Sequence, residues 1–361
     1  MSTTTLMTAT TTASSATATC TTAVPGKYGR VPVDACNSNY YFDPSFAANL
    51  AFCVLFGLTT IAHLAQAILF KKATLQRFCW VAIMGATWET IAFAFKTLGS
   101  HDQQNLTYLT VGQILFLLAP LWINAFVYMG VARMVYFGMP SQKLLGIKAV
   151  RMTLLFVWLD VILFLVQGTG GVMLSNTDAD SDTIDIGMKV YMAGVALQLA
   201  VVLVFSGITV FFYFKLRQLE GRSMGRMKWL IWTMVVVLML IVVSILCPFT
   251  CYQADKVKTR IVYRLVEFGP GVNAHNTLLI HEGYPLGLDA TPILIALVLL
   301  NIMHPGFVLR GPESEFPKSS RKEKKALKEQ KKQAKKDRKA GVQQLEELSI
   351  DKRSSSSRQV V

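Results

Sequence analysis

The side chains with most chemical potential in this sequence are ionisable or amide groups set inside long apolar runs. Glu89 and Lys96 lie seven residues apart, and Asp160 and Gln167 repeat that spacing. Seven residues are about two helical turns, so each pair shares one face and is separated by roughly 10 Å along the axis. An ionised group at mid-membrane costs about 3 kcal/mol even on insertion scales, so each must face a partner or a wet cavity. Lys96, near a helix end, has the reach to snorkel, whereas the deeper Glu89 needs a partner or a proton. Gln113, Gln198 and His63 with Gln66 add hydrogen-bonding groups at helical depth, whose ordinary role is interhelical bonding. Gly168, Gly170 and Gly171 follow Gln167 and let backbones approach closely.

These residues need membrane helices to position them. The chain has 361 residues, 52% hydrophobic and only 16% charged, a membrane-like profile that excludes disordered, collagen-like and disulfide-scaffold classes. Seven apolar runs, near residues 46–70, 78–99, 108–137, 150–174, 187–214, 229–252 and 287–309, are each about as long as a bilayer crossing requires. They lack period-2 alternation, so the expected fold is all-α, a polytopic membrane protein with seven transmembrane helices. Pro120 is expected to kink the third.

Lys71, Lys72 and Arg77, then Lys143, Lys148 and Arg151, then Lys215, Arg217, Arg222, Arg226 and Lys228 mark the first, third and fifth loops as cytoplasmic. The second loop, SHDQQNLTY, has no Lys or Arg, and SNTDADSDTID carries four Asp. The expected topology therefore has the N-terminus outside and the C-terminus in the cytoplasm, with Arg133 anchoring the inner end of the third span. Residues 1–45 form a Ser/Thr-rich outer tail, its first 24 residues disordered and unlike a signal peptide. Residues 46–309 form the bundle, and 310–361 a basic cytoplasmic tail with 16 Lys/Arg against 8 Asp/Glu. Asn105 heads an N-glycosylation tripeptide in an outward loop. Of six Cys, Cys36 and Cys251 are a possible outer disulfide, with free buried thiols as the competing reading.

The long sixth loop contains Arg260, Arg264 and Glu267 on one helical face, followed by Glu282 and Asp289, an outer-rim charged cluster suited to a lipid phosphate or to a structural network. His281 and Glu282 lack the second His of a zinc protease motif. A metal set of His63, Asp160 and His304 is conceivable, but the histidines have no ligand-spaced neighbours, so no metal, no cofactor and no enzyme is expected. There is no P-loop, which excludes ATP-driven pumping, and the seventh run has no Lys for a retinal Schiff base. Over half of the +14 charge sits in the polar tail rather than on a folded groove, which argues against nucleic acid.

In order along the chain stand YYFDPSFAANLAF with His63, then Glu89, then Gln113 with APLW, Tyr128, Met129 and Arg133. Asp160, Gln167 and GTGG follow, then Gly194 with Gln198, RIVYRLVEF, HEGY, and LDATP to MHPG. On these motifs, over residues 40–310, the chain resembles the fungal lipid-translocating exporter family, seven-span proteins associated with aminosterol resistance and sphingoid-base efflux. It departs from the family pattern at AFAFK, where Lys96 replaces the usual Arg, and in an inserted CPFTCYQADKVKT.

The resemblance implies a plasma-membrane transporter that moves an amphiphilic lipid, a sphingoid long-chain base or a sterol-like toxin, across or out of the membrane. In that picture Glu89, Asp160 and Gln167 guide a cationic headgroup, and proton exchange at a carboxylate supplies any coupling. The alternative is a seven-helix sensor of lipid asymmetry that signals through the basic tail. That tail is expected to touch anionic inner-leaflet lipid, under control of phosphorylation at Ser319, Ser320 and Ser354 to Ser357.

Overall fold

The computed structural model describes residues 21–32, 35–40, 42–69, 76–174, 180–220, 225–254 and 282–308, and residues 329, 330 and 333 of the tail; over 244–254 it describes the backbone alone. The apolar runs are helices: α1 Phe46–Leu69, α2 Gln76–Ser100, α3 Leu106–Gly138, α4 Ala149–Leu174, α5 Ser181–Glu220, α6 Met227–Ala254 and α7 Thr291–Ile302. A helical turn Gly283–Pro285 and a π turn Leu286–Ala290 lead into α7. Among the described residues, five helices are long and apolar enough to cross a membrane: Phe46–Leu69, Leu106–Gly138, Ala149–Met173, Asp182–Leu219 and Leu286–Phe307. This is a coarser result than the seven spans expected. Of the other two, α2 carries Glu89 and Lys96 within its 25 residues, and α6 has a shorter apolar stretch, Met227–Val243.

The helix ends follow local chemistry. Asp180 caps α5, accepting the backbone N–H of Thr183 at 3.3 Å and starting the helix six residues before the apolar run; hydrogen bonding from the Thr183 side chain, then its backbone, holds the carboxyl below the usual range. Asn105 caps α3 in the same way through Thr107 N–H at 3.1 Å. α3 continues through Pro120. α7 stops short of the expected 309 because Pro305 cannot continue a helix and forces His304 into an extended conformation (ψ 132°). The third loop holds a β-hairpin that periodicity did not reveal, β1 Lys143–Leu144 against β2 Ile147–Lys148. Its two-residue turn, Leu145-Gly146, has φ of 50° and 78°, the left-handed pair that matches strand twist.

Consecutive helices pack as neighbours, and α7 returns to α1, closing the bundle. α3 also touches α5 and α6 and is the most buried of the five membrane-length helices, with core positions from Leu109 to Val135. The outward surface is apolar, with Leu58, Ile61, Trp158, Leu165 and Trp229 exposed, as lipid contact requires.

The described part of the expected outer tail is packed. His101 is sandwiched between the rings of Tyr28 and Phe46, each 4.2 Å away. Gln103 N–H donates to Tyr28 O at 2.9 Å, and its side chain donates to Asp43 at 3.0 Å, a carboxylate also paired with Arg30 at 3.0 Å. Gly29 (φ 74°) fits because a Cβ would come within 3.2 Å of the Gln104 backbone. The described residues between 21 and 45 thus form a cap over the loop between α2 and α3. Compact contacts divide the chain into residues 1–314 and 315–361.

Candidate functional site

One face of α2 carries part of the polar interior. Cys79, Ala82, Ala86, Glu89, Phe93 and Ser100 recur every three to four residues and are all buried, and Lys96 falls on the same stripe. This stripe meets α1 and α3, so Cys79, Glu89 and Lys96 stand near the start, the middle and the end of one wall along α2. α3 approaches closely at Gly112, where a Cβ would lie 3.3 Å from Ala92 O and 3.4 Å from Lys96 Cγ.

Near the C-terminal end of α2, the Lys96 side chain lies against aromatic rings. Its Nζ lies 4.2 Å from the ring centre of Phe116 and 5.7 Å from that of Phe93. Facing it across a pocket of about 30 Å³ is Glu282. Ser45 N–H donates to Glu282 Oε2 at 2.7 Å, and Asn49 Nδ2 donates to Oε1. Burial raises the Glu282 pKa, a shift these two donors and the charge of Lys96 partly offset. Phe93 stacks on Phe52 and Phe56, both 5.3 Å away, and meets Phe116 edge-on at 5.8 Å. Of these rings, Phe93 and Phe116 line the pocket. Above it, an open recess of about 800 Å³ lies under the cap, and Tyr40, Phe42 and Pro44 line both spaces.

Near the start of α2, His63, Cys79 and His304 are almost wholly buried. His304 Nδ1 accepts Gly306 N–H at 3.0 Å, which leaves the proton of a neutral ring on Nε2, 3.5 Å from Cys79 Sγ. His63 lies within electrostatic reach of His304, and Arg133 within reach of Cys79. Arg133 is half-buried, with Nε and Nη1 inside the fold. Gln66 Nε2 donates to Asn301 O at 2.7 Å, tying α1 to α7.

Asp160 belongs to another cluster. Its Oδ2 accepts Asn124 Nδ2 at 3.0 Å and Tyr128 Oη at 2.9 Å, both from α3. Its buried Oδ1 has no hydrogen-bond donor among the described residues. Tyr128 is clamped by Phe156 and Phe205, whose ring centres lie 5.7 and 4.4 Å away. Gln167 donates to Gln198 at 2.7 Å, joining α4 to α5, where Gly170 and Gly194 let the helices touch. The resemblance implied that Glu89, Asp160 and Gln167 together guide a headgroup. In the fold, Asp160 is bound by α3 donors, and Gln167 bonds α5, so the three carry no shared hydrogen bond. Nor does Asp160 join His63 and His304, and among the described residues no three His, Cys, Asp or Glu are grouped to hold a metal.

The remaining calls divide by position. Gln113 is buried on α3 with Oε1 unbonded. Asp289 is buried in the π turn before α7. Cys36 is disulfide-bonded; Cys53 and Cys79 are free thiols, so its partner lies beyond the described side chains, as does the Cys251 side chain. Arg260, Arg264 and Glu267 lie outside the described residues. Missed from sequence were Ser45, Asn49 and the Tyr28–His101–Phe46 stack. Only Asn49 left a trace, since Asn49, Phe56 and His63 recur at heptad spacing on the buried face of α1.

A family profile described as RTA1 like protein matches residues 82–312. The chain belongs to the RTA1-like family. It is 40% identical over 316 residues to a probable lipid transporter, atnI, of Emericella nidulans, covering 85% of this chain and 77% of that one. It is 24% identical over 314 residues to the sphingoid long-chain base transporter RSB1 of Saccharomyces cerevisiae, covering 78% of each. A lipid-translocating exporter-like protein, RTA1, of Leptosphaeria maculans is 23% identical over 286 residues, covering 76% of this chain and 52% of that one. No solved structure matches the chain.

Proposed function

We propose that this RTA1-like protein is a lipid transporter that exports an amphiphile, with a sphingoid long-chain base as the model substrate, across or out of the plasma membrane. The observation that carries this is the 40% identity, over most of both chains, to a relative named as a lipid transporter. The bundle is consistent with it. Its outer surface is apolar, while α2 presents polar groups inward at three depths, the arrangement needed if a headgroup travels inside and an acyl chain stays in lipid.

The mechanism proposed is headgroup passage along the α2 wall, from the His63 and Arg133 level past Glu89 to the pocket of Lys96 and Glu282. Asp160 acts as a separate charge that locks α4 to α3. Where export is driven, Glu89 is the carboxylate placed to exchange a proton with the headgroup's ammonium. The basic tail, in this proposal, rests on anionic inner-leaflet lipid. Nothing in the fold favours a lipid-asymmetry sensor over the transporter.

The test is release of a labelled sphingoid base from liposomes holding only the purified full chain, with and without a pH gradient, beside Glu89→Gln and Asp160→Asn. Release by the wild type that Glu89→Gln abolishes supports the path. No release from folded wild-type protein under any condition sinks the transporter reading.

A further inference from the structure

Lys96 is a half-buried cation whose surroundings are unusual. Its ammonium lies over Phe116 at 4.2 Å, with Phe93 also within 6 Å. Ring faces attract cations, but an ammonium also seeks acceptors for its three N–H groups. Among the described residues Lys96 has none, and no carboxylate lies within the 4.0 Å of a direct ion pair. Its charge is nonetheless felt at Glu282, across a cavity with room for about two waters.

The carboxylate opposite is prepared. Both Glu282 oxygens are held, one by Ser45 N–H and one by Asn49 Nδ2, so the group cannot swing over to close on Lys96 without breaking those bonds. The result is an aromatic floor, a fixed anion and apolar walls at Leu109 and Leu286, with a cation that fills the space without bonding to it. A primary alkylammonium needs those same features: ring faces for its charge, a carboxylate for its protons and apolar walls for its first methylenes. The lysine head is itself a primary alkylammonium on a four-carbon stem. Tyr40, Phe42 and Pro44 separate the pocket from the large outer recess and line both, which gives that stem somewhere to move.

We propose that the outer pocket between Lys96 and Glu282 is a binding site for the primary ammonium head of a long-chain amine, and that Lys96 fills it from within as a tethered stand-in. The amine enters by displacing the lysine head toward the recess, and the lysine resets the site once the amine leaves. The identity of the amine as cargo rests on the transporter reading, but the site stands on its own geometry. A tethered competitor acts at an effective concentration in the millimolar range, so removing it should tighten binding of the free amine by about tenfold or more.

The experiment measures equilibrium binding of a radiolabelled C18 primary amine, and of its N-acetyl derivative, to the purified full chain in neutral-lipid nanodiscs. Lys96→Met is expected to bind the amine at least tenfold more tightly than wild type, Glu282→Gln to bind it more weakly, and the acetylated compound to bind none of them specifically. Unchanged or weaker amine binding by folded Lys96→Met overturns the proposal. So does equal binding of the acetylated compound, which would mean that the acyl chain alone is recognised. If Lys96→Met does not fold, propylammonium replaces the missing side chain in Lys96→Ala. Raising the melting temperature of that variant but not of wild type supports the site, and no difference rejects it. Neither readout requires transport, so tighter binding without lipid release in liposomes would leave the site standing while the transporter reading fell, and the reverse result would do the opposite.

Discussion

Asn49 donates its side-chain amide to the carboxylate of Glu282, 233 positions further along the chain. That bond, with Ser45 N–H on the other oxygen, joins the start of α1 to the turn that leads into α7 and so closes one rim of the bundle.

The pH dependence of this rim follows from burial. The folded pKa of Glu282 lies above 4.5, so between that value and the raised one the native state holds more proton than the unfolded state. Stability contributed there is present below 4.5 and is lost as pH rises through the folded pKa. Asn49→Ala removes a donor to the charged form, raises the pKa further and widens the window. Thermal midpoints of wild type, Asn49→Ala and Glu282→Gln between about pH 4 and 7 check this. Wild type should lose stability with rising pH, Asn49→Ala should lose more, and Glu282→Gln should show no such slope from this site. A wild-type midpoint that rises through the same range contradicts the assignment.

Tyr128→Phe tests the Asp160 cluster. The change keeps the ring between Phe156 and Phe205 and removes one of two donors to Oδ2. A polar bond inside a membrane bundle is worth about 0.6 kcal/mol on average and about 1.7 at most, and a carboxylate acceptor places this one near the upper end. Asp160→Asn with Tyr128→Phe should then cost less than the two single changes summed. The cycle is measured by unfolding in mixed micelles, and strict additivity would mean that Tyr128 contributes packing only.

Asn105 is both the first residue of a glycosylation tripeptide and the cap of α3, and its Nδ2, the atom a glycan would occupy, donates to Asp102 at 3.1 Å. Asn105→Ala is expected to destabilise the chain by about 1 kcal/mol, whereas Thr107→Ala, which removes the tripeptide but keeps the capped N–H, should change stability little. Glycosidase treatment of wild type should leave its gel mobility unchanged. A shift that Thr107→Ala abolishes would show that the cap gives way to a sugar.

Much of the helical framework was legible because apolar run length is a local property. The positions of α1 to α4 follow from counting, as does the placement of Glu89, Lys96 and Asp160 at helical depth. Partnership was not legible. Asp160 and Gln167 share a face of α4, yet one bonds α3 and the other α5, since a helix wedged between two neighbours offers adjacent edges of one face to each. Glu282 was read with charges near it in sequence, while its bonds run to Ser45 and Asn49 on the far side of the chain. The surroundings of Lys96 were not legible for a related reason. Snorkelling assumes lipid around the stem, and only the fold shows that Phe116 supplies an aromatic face instead. The cap was hidden because its Thr-rich beginning dominates the composition of residues 1–45, while Tyr28, His101 and Phe46 come from three separate stretches.

Gly170 and Gly194 mark where α4 and α5 touch, and they should respond differently to the same added methyl group. At Gly170 a Cβ would lie 2.7 Å from Gly187 O and 2.7 Å from Tyr191 N, both backbone atoms that move only if the helices part. At Gly194 the 2.6 Å contact is with Gln167 Cγ, a side-chain atom, with the Gln167 backbone N at 3.2 Å and Leu163 O at 3.4 Å. Overpacking a close contact costs about 1–3 kcal/mol, and rigid neighbours put a site at the upper end of that range. Gly170→Ala should therefore cost more than Gly194→Ala. The latter should lose most of its penalty in a Gln167→Ala background, because shortening that side chain removes the clash at the price of one Gln198 hydrogen bond. Midpoints of Gly170→Ala, Gly194→Ala and each combined with Gln167→Ala decide the matter. Rescue of Gly194→Ala alone confirms the two contacts as described, while rescue of both or of neither would mean that α4 and α5 pack through other surfaces.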